Sequence, residues 1–449
     1  MRIHKISVTN LFGIFNHSIP LNLDERITII HGPNGFGKTI LLRMLNGLFN
    51  SRYLELVTIP FTEFRVEFDE GTQLVVTQSI DKNPKAKKHP ATLQLLNAKS
   101  SKSEKFQLID VTSDSKRFKQ ISQVIDSIIP EINRINYTTW LHLQTNEQLS
   151  FEDVIARFGQ FFPEELGKIA PDPNWLIDVK KSMPVRLIEA QRLLNLSNVL
   201  RGRGYPRFPS SITSVAAYSS VAAYSEELAE HIQSKLAEYG ELAQSLDRTF
   251  PARVVKTTAP SDLTADKIHT KLREIEEKRY RLIAAGLLNQ DEDPDFQVDR
   301  SIDDTAKSIL SVYVEDVENK LRVFEELAQK IEILKRIINS RFCYKSINVN
   351  KEKGFIFQAD DSKHLSPENL SSGEQHQLVM LYELLFKAKP NSLILIDEPE
   401  LSLHVAWQAQ FLKDLQEIAQ LVNIDVLMAT HSPDIISDRW DLTVELKGP

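Results

Sequence analysis

Cysteine is almost missing from this sequence: Cys343 is the only one in 449 residues. One thiol cannot close an internal disulfide, and without a second the chain has no CxxC hook for a metal. No run approaches the roughly 18–20 apolar residues that a membrane-spanning helix needs. The opening "MRIHKISVTNLFGIF" is charged and alternates like a strand, so it lacks the apolar centre of a signal peptide. A basic surplus is missing too. The formal net charge of -7 speaks against adhesion of the whole surface to nucleic acid, while leaving room for local patches. The expectation is a cytoplasmic protein with no membrane span and no membrane partner.

What is present is an ordinary globular composition, 42% hydrophobic and 26% charged, in a chain too long for one core. "KISVTNLFGI" and "RITIIHG" read as strands, and "KTILLRMLNGLF" as a helix. From "FTEFRVEF" to "KFQLIDV" the apolar period is near two, with Gly71 at a hairpin turn, which predicts an antiparallel β-lobe. Its interruption, "DKNPKAKKHP", is a basic loop. Residues 117–180 read as mostly helical, followed by a short strand in "PVRLIEAQRLL" and a Gly/Pro/Arg-rich linker, "RGRGYPRFPSS". The duplication "VAAYSSVAAYS" is too short for a fold repeat. Helices then dominate from about 218 to 341, where Leu310, Tyr313, Val317, Leu321, Phe324, Leu327, Ile331, Leu334 and Ile338 form one apolar stripe. The stripe suits a helical arm or short antiparallel coiled coil, and equally helices packed as an ordinary core. "FCYKSINVN" and "GFIFQAD" return to strands, and "SLILIDE" and "DVLMATH" are runs of the buried parallel type. The expected fold is α/β. A parallel or mixed sheet is split between 1–200 and 342–449, with a helical insertion at 201–341.

Gly32-x4-Gly37-Lys38-Thr39 fits the phosphate-loop pattern, with a strand before it and a helix after. Glycines let successive N–H groups face phosphates at a helix N-terminus. Lys38 can neutralise β- and γ-phosphates, and the Thr39 hydroxyl can ligate Mg²⁺. Asp397 and Glu398 end "SLILIDE" at the carboxyl end of a buried strand, where ligands collect in open α/β sheets. Asp397 suits Mg²⁺, and Glu398 suits a general base for an attacking water. Adjacent acids in that place also serve as helix caps, and the phosphate loop is what favours the chemical reading. His431, in "ATHSPDII", follows another buried strand, from which its imidazole can donate to a γ-phosphate; a lone histidine is otherwise usually structural. Gln191, in "LIEAQRLL", can reach Mg²⁺ or the water with its amide. Gln144 competes for that role, and a plain surface glutamine is the bland alternative.

"LSSGEQ", residues 370–375, adds a second anion-binding edge before a helix, with Ser371 and the Gly373 backbone at its N-terminus. Alone it can be a mere helix cap. One nucleotide does not need two cradles on the same side. A second copy facing head-to-tail can instead press its Ser371 on the γ-phosphate held by the first copy's Lys38.

In this order the motifs resemble the head of an ABC-type ATPase: Walker A "GPNGFGKT", Q-loop "EAQR", signature "LSSGEQ", Walker B "LILIDE", D-loop region "PELSLH" and H-loop "ATHS". The resemblance implies ATP held by Gly32, Pro33, Asn34, Gly35, Phe36, Gly37, Lys38 and Thr39, and by Ser371, Ser372, Gly373 and Glu374. It implies Mg²⁺ held by Thr39, Asp397 and Gln191, and catalysis by Glu398, His431 and Gln191. The opening "ISVTNLFGIF" is similar to the RecF/SMC/OLD branch. The chain departs from the pattern at Ser372, where glycine is commoner, and at Phe36, where a smaller residue is usual. The insertion is short for an SMC arm, and the missing CxxC disfavours the zinc-hook type. In length the chain resembles anti-phage ATPases of the PtuA, AriA and retron-associated kind. OLD nucleases carry a C-terminal Toprim domain, for which too few residues follow His431, so a nuclease is expected on a separate chain.

Three functions are therefore in view. The first is an ATP-hydrolysing homodimer, or higher oligomer, controlling a separate nuclease or effector in phage defence. The second is a DNA-repair ATPase that clamps DNA itself, through Lys82, Lys85, Lys87 and Lys88 or through Arg201, Arg203 and Arg207. Such charge runs are more often solvated surface. The third, a transporter engine, is disfavoured because Gln191 stands much farther from Lys38 than in transporter heads.

Overall fold

Five short strands rich in Ile, Leu and Val form the sheet that carries the motifs: β3 (Ile27–His31), β11 (Val185–Glu189), β15 (Leu393–Asp397), β16 (Asp425–Ala429) and β17 (Thr443–Glu445). The structure is a computed structural model describing residues 1–78, 91–97, 100–108, 118–119, 122–123, 125–126, 129, 132–143, 146–158, 172–189, 212–257, 264–289, 304–359, 363–366 and 369–448. The strand order is β11-β15-β16-β3-β17, and every neighbouring pair is parallel. Ile394, Leu395, Ile396, Leu427 and Met428 are buried, which explains the continuous apolar runs: strands covered on both faces do not alternate. Each such side chain contributes about 1.5–3 kcal/mol on burial.

Register brings the carboxyl ends level. Asp397 lies opposite Ala429, and Ala429 opposite Ile30. Pairing continues past the strands, because Glu398 N donates to Ala429 O (2.9 Å) and Thr430 N to Ile30 O (3.2 Å). Three loops thus leave the sheet side by side.

An antiparallel sheet supplies the lobe expected from the period-two segments, in the order β2-β1-β4-β5-β6-β7. Its strands are β1 (Ile3–Leu11), β2 (Phe15–Pro20), β4 (Glu63–Phe68), β5 (Gln73–Gln78), β6 (Ala91–Asn97) and β7 (Ser100–Leu108). Helix α1 (Lys38–Phe49) packs Leu41, Leu42, Leu45 and Leu48 into one core with Ile6, Val8, Phe64, Leu395 and Leu427. The phosphate loop is therefore set between two sheets.

Helix α2 (Tyr53–Thr58) and, beyond it, α4 (Asn174–Ser182) are tied by a half-buried polar cluster. Lys180 Nζ donates to Asp172 Oδ2 (2.8 Å), Ser51 Oγ (2.8 Å) and Tyr53 OH (2.7 Å), and the Tyr53 hydroxyl donates to Asp172. Burial works against the Asp172 carboxylate, yet the bonds from Lys180, Tyr53 and Ser51 outweigh it and hold the group below its ordinary range.

Residues 132–150 depart from the mostly helical expectation. They form a three-stranded antiparallel sheet of β8 (Ile132–Arg134), β9 (Thr139–His142) and β10 (Gln148–Ser150), leading into α3 (Phe151–Phe158). Strands of three or four residues are too short to impose a period on the sequence. Their order comes from Trp140, Leu149 and Phe151 closing a small core with Ile132 and Val154.

The chain divides into two compact units, 1–216 with 386–449, and 217–385. The second unit runs past the expected boundary at 341. It holds most of α5 (Ile212–Lys256), then α6 (Ala265–Ala284), α7 (Asp304–Arg322), α8 (Glu325–Arg341), the sheet β12 (Lys345–Asn350), β13 (Gly354–Ala359) and β14 (His364–Leu365), and α9 (Ser372–Tyr382). The apolar stripe belongs to two helices that break at Val323–Phe324. Val317, Leu321, Phe324, Leu327, Ile331, Leu334 and Ile338 are buried, with α7 packed on α6 and α8 on β12. Arg281 joins α6 to α8 through Glu332 (2.6 Å) and Glu325 (2.9 Å). The serine ending the duplication also has a use: Ser225 Oγ donates to Lys353 O and accepts from Phe355 N. Gly354, at φ +68, passes so close that a Cβ would fall 1.9 Å from Ser225 O, so only glycine fits there.

Candidate nucleotide site

The loop 32–37 leaves β3 and enters α1 with Gly35 at φ 84 and Gly37 at φ 88. Both are left-handed conformations that glycine adopts without strain. Gly37 is the N-cap of α1 and has no side chain to close the helix end. The first N–H groups of the helix are thus left for an anion. Lys38 Nζ is folded over the loop and donates to Gly32 O (2.7 Å) and Pro33 O (3.0 Å). Burial lowers its pKa, and the nearby carboxylates of Glu398, Asp397 and Glu400 oppose that shift.

Thr39 Oγ1, one residue on, donates to Asp397 Oδ1 at 3.1 Å. Two hard oxygen donors meet here from opposite ends of the sequence. A Mg²⁺ in a phosphate site uses one or two carboxylates and keeps several waters, so this pair fits it. Among the described residues no group of three or more His, Cys, Asp or Glu could hold a metal.

Glu398 follows at φ 47, ψ 56, left-handed for a residue with a Cβ. That conformation costs about 1–3 kcal/mol and collects at functional sites. It directs the chain into a short 3₁₀ turn, Pro399–Ser402. His431 Nε2 and Glu398 Oε1 lie 3.8 Å apart. The loop after β16 is clamped by Glu400, which accepts from Thr430 Oγ1 (2.8 Å) and from His431 N (2.7 Å). Glu400 lies inside "PELSLH". The only sequence cue was a second acid two positions after Glu398, and its partners follow from the β15–β16 register.

The sequence-selected residues of the first unit thus come together at adjacent strand ends: Gly32 to Thr39 after β3, Asp397 at the end of β15 with Glu398 just after it, and His431 after β16. Gln191 and its competitor Gln144 lie outside the described residues, as do Lys82, Lys85, Lys87, Lys88, Arg201, Arg203 and Arg207. β11 nevertheless ends two residues before Gln191, with Glu189 opposite Asp397.

Ser371, Ser372, Gly373 and Glu374 belong to the second unit. Ser371 caps α9 in a capping box: its Oγ accepts from Glu374 N (3.4 Å), and Glu374 Oε2 accepts from Ser371 N (2.7 Å). A hydroxyl that accepts keeps its own proton to donate, so a cap and an anion contact are compatible. Glu374 itself is buried and also takes Lys345 Nζ at 2.8 Å. Burial disfavours its charge, yet the bonds from Lys345 and Ser371 together keep its pKa low. Ser371 and Ser372 are exposed.

A family model described as "AAA domain, putative AbiEii toxin, Type IV TA system" matches residues 212–437. No curated protein matches the chain. Solved structures similar to it include the Smc head domain with an extended coiled coil, bound to the C-terminal domain of ScpA, from Pyrococcus furiosus. That one is 13% identical, with TM-score 0.34 over 97% of this chain and 91% of the other. The SMC head domain from Thermotoga maritima is 10% identical, with TM-score 0.32 and the same coverage. Among the described residues no helix is long and apolar enough to cross a membrane.

Proposed function

The chain belongs to the family of AAA domains described by that AbiEii-type model, and from this premise we propose that it is an ATP-hydrolysing ABC-type ATPase working as a dimer. The observation that carries the reading is the meeting of Thr39 with Asp397 at 3.1 Å, beside Glu398 and His431 at 3.8 Å. A cation-ligating pair and an acid–imidazole pair stand over one phosphate loop that lies outside the matched 212–437.

In this reading the loop amides and Lys38 bind the phosphates. Thr39 and Asp397 would hold Mg²⁺, which when bound offsets charge on the phosphate oxygens. Glu398 accepts the proton of the attacking water, a role worth about 10²–10⁴ in rate. His431 donates to the γ-phosphate from a loop held by Glu400. Gln191, two positions beyond the end of β11 in the sequence, is the proposed partner of Mg²⁺ or the water. Ser371 completes the site of a second copy, and its exposure at the start of α9 supports that use. A separate nuclease or effector in phage defence is the proposed partner.

The test is nucleotide binding and turnover of the full chain. Lys38→Ala should abolish ATP binding. Glu398→Gln should bind ATP, slow hydrolysis about 10²-fold or more, and accumulate the dimer in size-exclusion chromatography with light scattering. A Glu398→Gln chain that hydrolyses ATP at the native rate would sink the assignment.

A further inference from the structure

The antiparallel lobe contains a buried polar side chain that the scheme above does not use. His17 sits in the edge strand β2, opposite Val8 of β1, at a position the alternating pattern gives to the core, and is 5% exposed. A buried imidazole needs a partner. It has one in the phosphate loop: Nε2 is 2.9 Å from Phe36 O. A carbonyl only accepts, so the hydrogen is on Nε2 and His17 is the donor. Burial lowers its pKa, which keeps the ring neutral near pH 7.

The same contact accounts for Phe36, the large residue at a place where a small one is usual. The Phe15 ring stacks on His17 (5.6 Å, 17° between planes) and meets Phe36 at 5.3 Å. Phe15, His17 and Phe36 thus form a latch from the lobe to the loop, with the imidazole aimed at one carbonyl. The direction of that carbonyl matters. The Phe36–Gly37 peptide is trans, so its C=O and N–H point in opposite directions. Holding Phe36 O against the lobe turns the Gly37 N–H the other way, away from the lobe. Gly37, at φ 88, has no Cβ to restrict its backbone, so a hydrogen bond to this peptide supplies a restraint that the residue itself does not.

We propose that His17 is a positioning residue that fixes the Phe36–Gly37 peptide plane through its Nε2–H, so that the phosphate nest is formed before nucleotide arrives. The inference rests on the reading of residues 32–39 as the ATP phosphate loop. It assigns to the β-lobe a part in nucleotide affinity that the motif residues do not have.

The test measures ATP affinity by calorimetry, together with KM and kcat, for the native chain, His17→Phe, His17→Gln and Lys38→Ala. Phenylalanine keeps the stack and loses the donor, whereas a glutamine amide can stand where Nε2 was. His17→Phe should weaken ATP binding roughly 10-fold, the order expected for one buried hydrogen bond, and raise KM far more than it lowers kcat. His17→Gln should recover most of the loss. Native-like affinity in His17→Phe, with binding abolished in Lys38→Ala, overturns the inference and leaves the site reading standing. Equal impairment of the Phe and Gln variants also overturns it, since a donor restored at the Nε2 position would then make no difference. If Lys38→Ala binds ATP normally, the site reading fails and this inference with it. Should His17→Phe not fold, His17→Asn, whose amide falls short of Phe36, takes its place with the same outcomes.

Discussion

Glu400 shows how a single carboxylate can set the geometry of a loop it does not belong to. It takes one hydrogen from the Thr430 hydroxyl and one from the His431 amide, and so decides where the His431 ring begins. Hydrogen bonds to a charged group are worth about 1.5–3 kcal/mol. If that preference is felt mainly when His431 meets the transferring phosphate, Glu400→Gln should lower kcat about 10–100-fold. ATP affinity should change little. Steady-state kinetics with parallel binding measurements check this; an unchanged kcat would make Glu400 merely structural. At this scale the motif residues stand out in the sequence because their side chains are of the types that phosphate, Mg²⁺ and water chemistry calls for. Glu400 and His17 do not, because their importance lies in whom they touch, and those partners are remote in sequence.

Among the elements, α2 and α4 illustrate a different dependence. Their junction rests on Lys180, Asp172, Ser51 and Tyr53. Asp172 has a folded-state pKa below its ordinary value of 3.8, so the unfolded chain takes up its proton first as the pH falls. The stabilisation is therefore complete above about pH 4 and disappears as the pH drops through the depressed folded value. Asp172→Asn should lower the melting temperature at pH 7 and flatten the loss of stability as the pH falls below the ordinary carboxylate value of 3.8. Thermal melts across that range test it, and an unchanged acid limb would remove Asp172 as a cause. The strands β3, β15 and β16 and the helix α1 could be read directly, since long apolar runs and a glycine-rich turn impose them locally. β8, β9 and β10 could not, because strands of three or four residues take their form from Trp140 and its neighbours. The stripe from 310 to 338 was visible, but its break at Val323–Phe324 leaves no mark on a period of three or four.

For the whole molecule, the proposal that Ser371 serves another copy's Lys38 makes a sharp demand. Lys38→Ala and Ser371→Arg chains should each be inactive alone. Mixed in equal amounts and allowed to exchange subunits, they should regain part of the ATPase activity, because one composite site of the mixed dimer has both native partners. No recovery, in a mixture shown by mass spectrometry to contain the heterodimer, would reject the shared site. The exposed Ser371 and Ser372 and the capping box that frees a hydroxyl proton make the arrangement chemically reasonable.

By itself the sequence determined the chemistry available to this protein: a glycine-rich anion loop with Lys38 and Thr39, two acids at a buried strand end, and an imidazole after the next strand. Those follow from residue type and short spacing, which the sequence displays without reference to any remote contact. Only the tertiary structure decided that Thr39 meets Asp397, that Glu400 clamps the His431 loop, and that the signature helix belongs to the compact unit 217–385. Such contacts join residues from tens to hundreds of positions apart. They depend on strand register and burial, which no short stretch of sequence specifies.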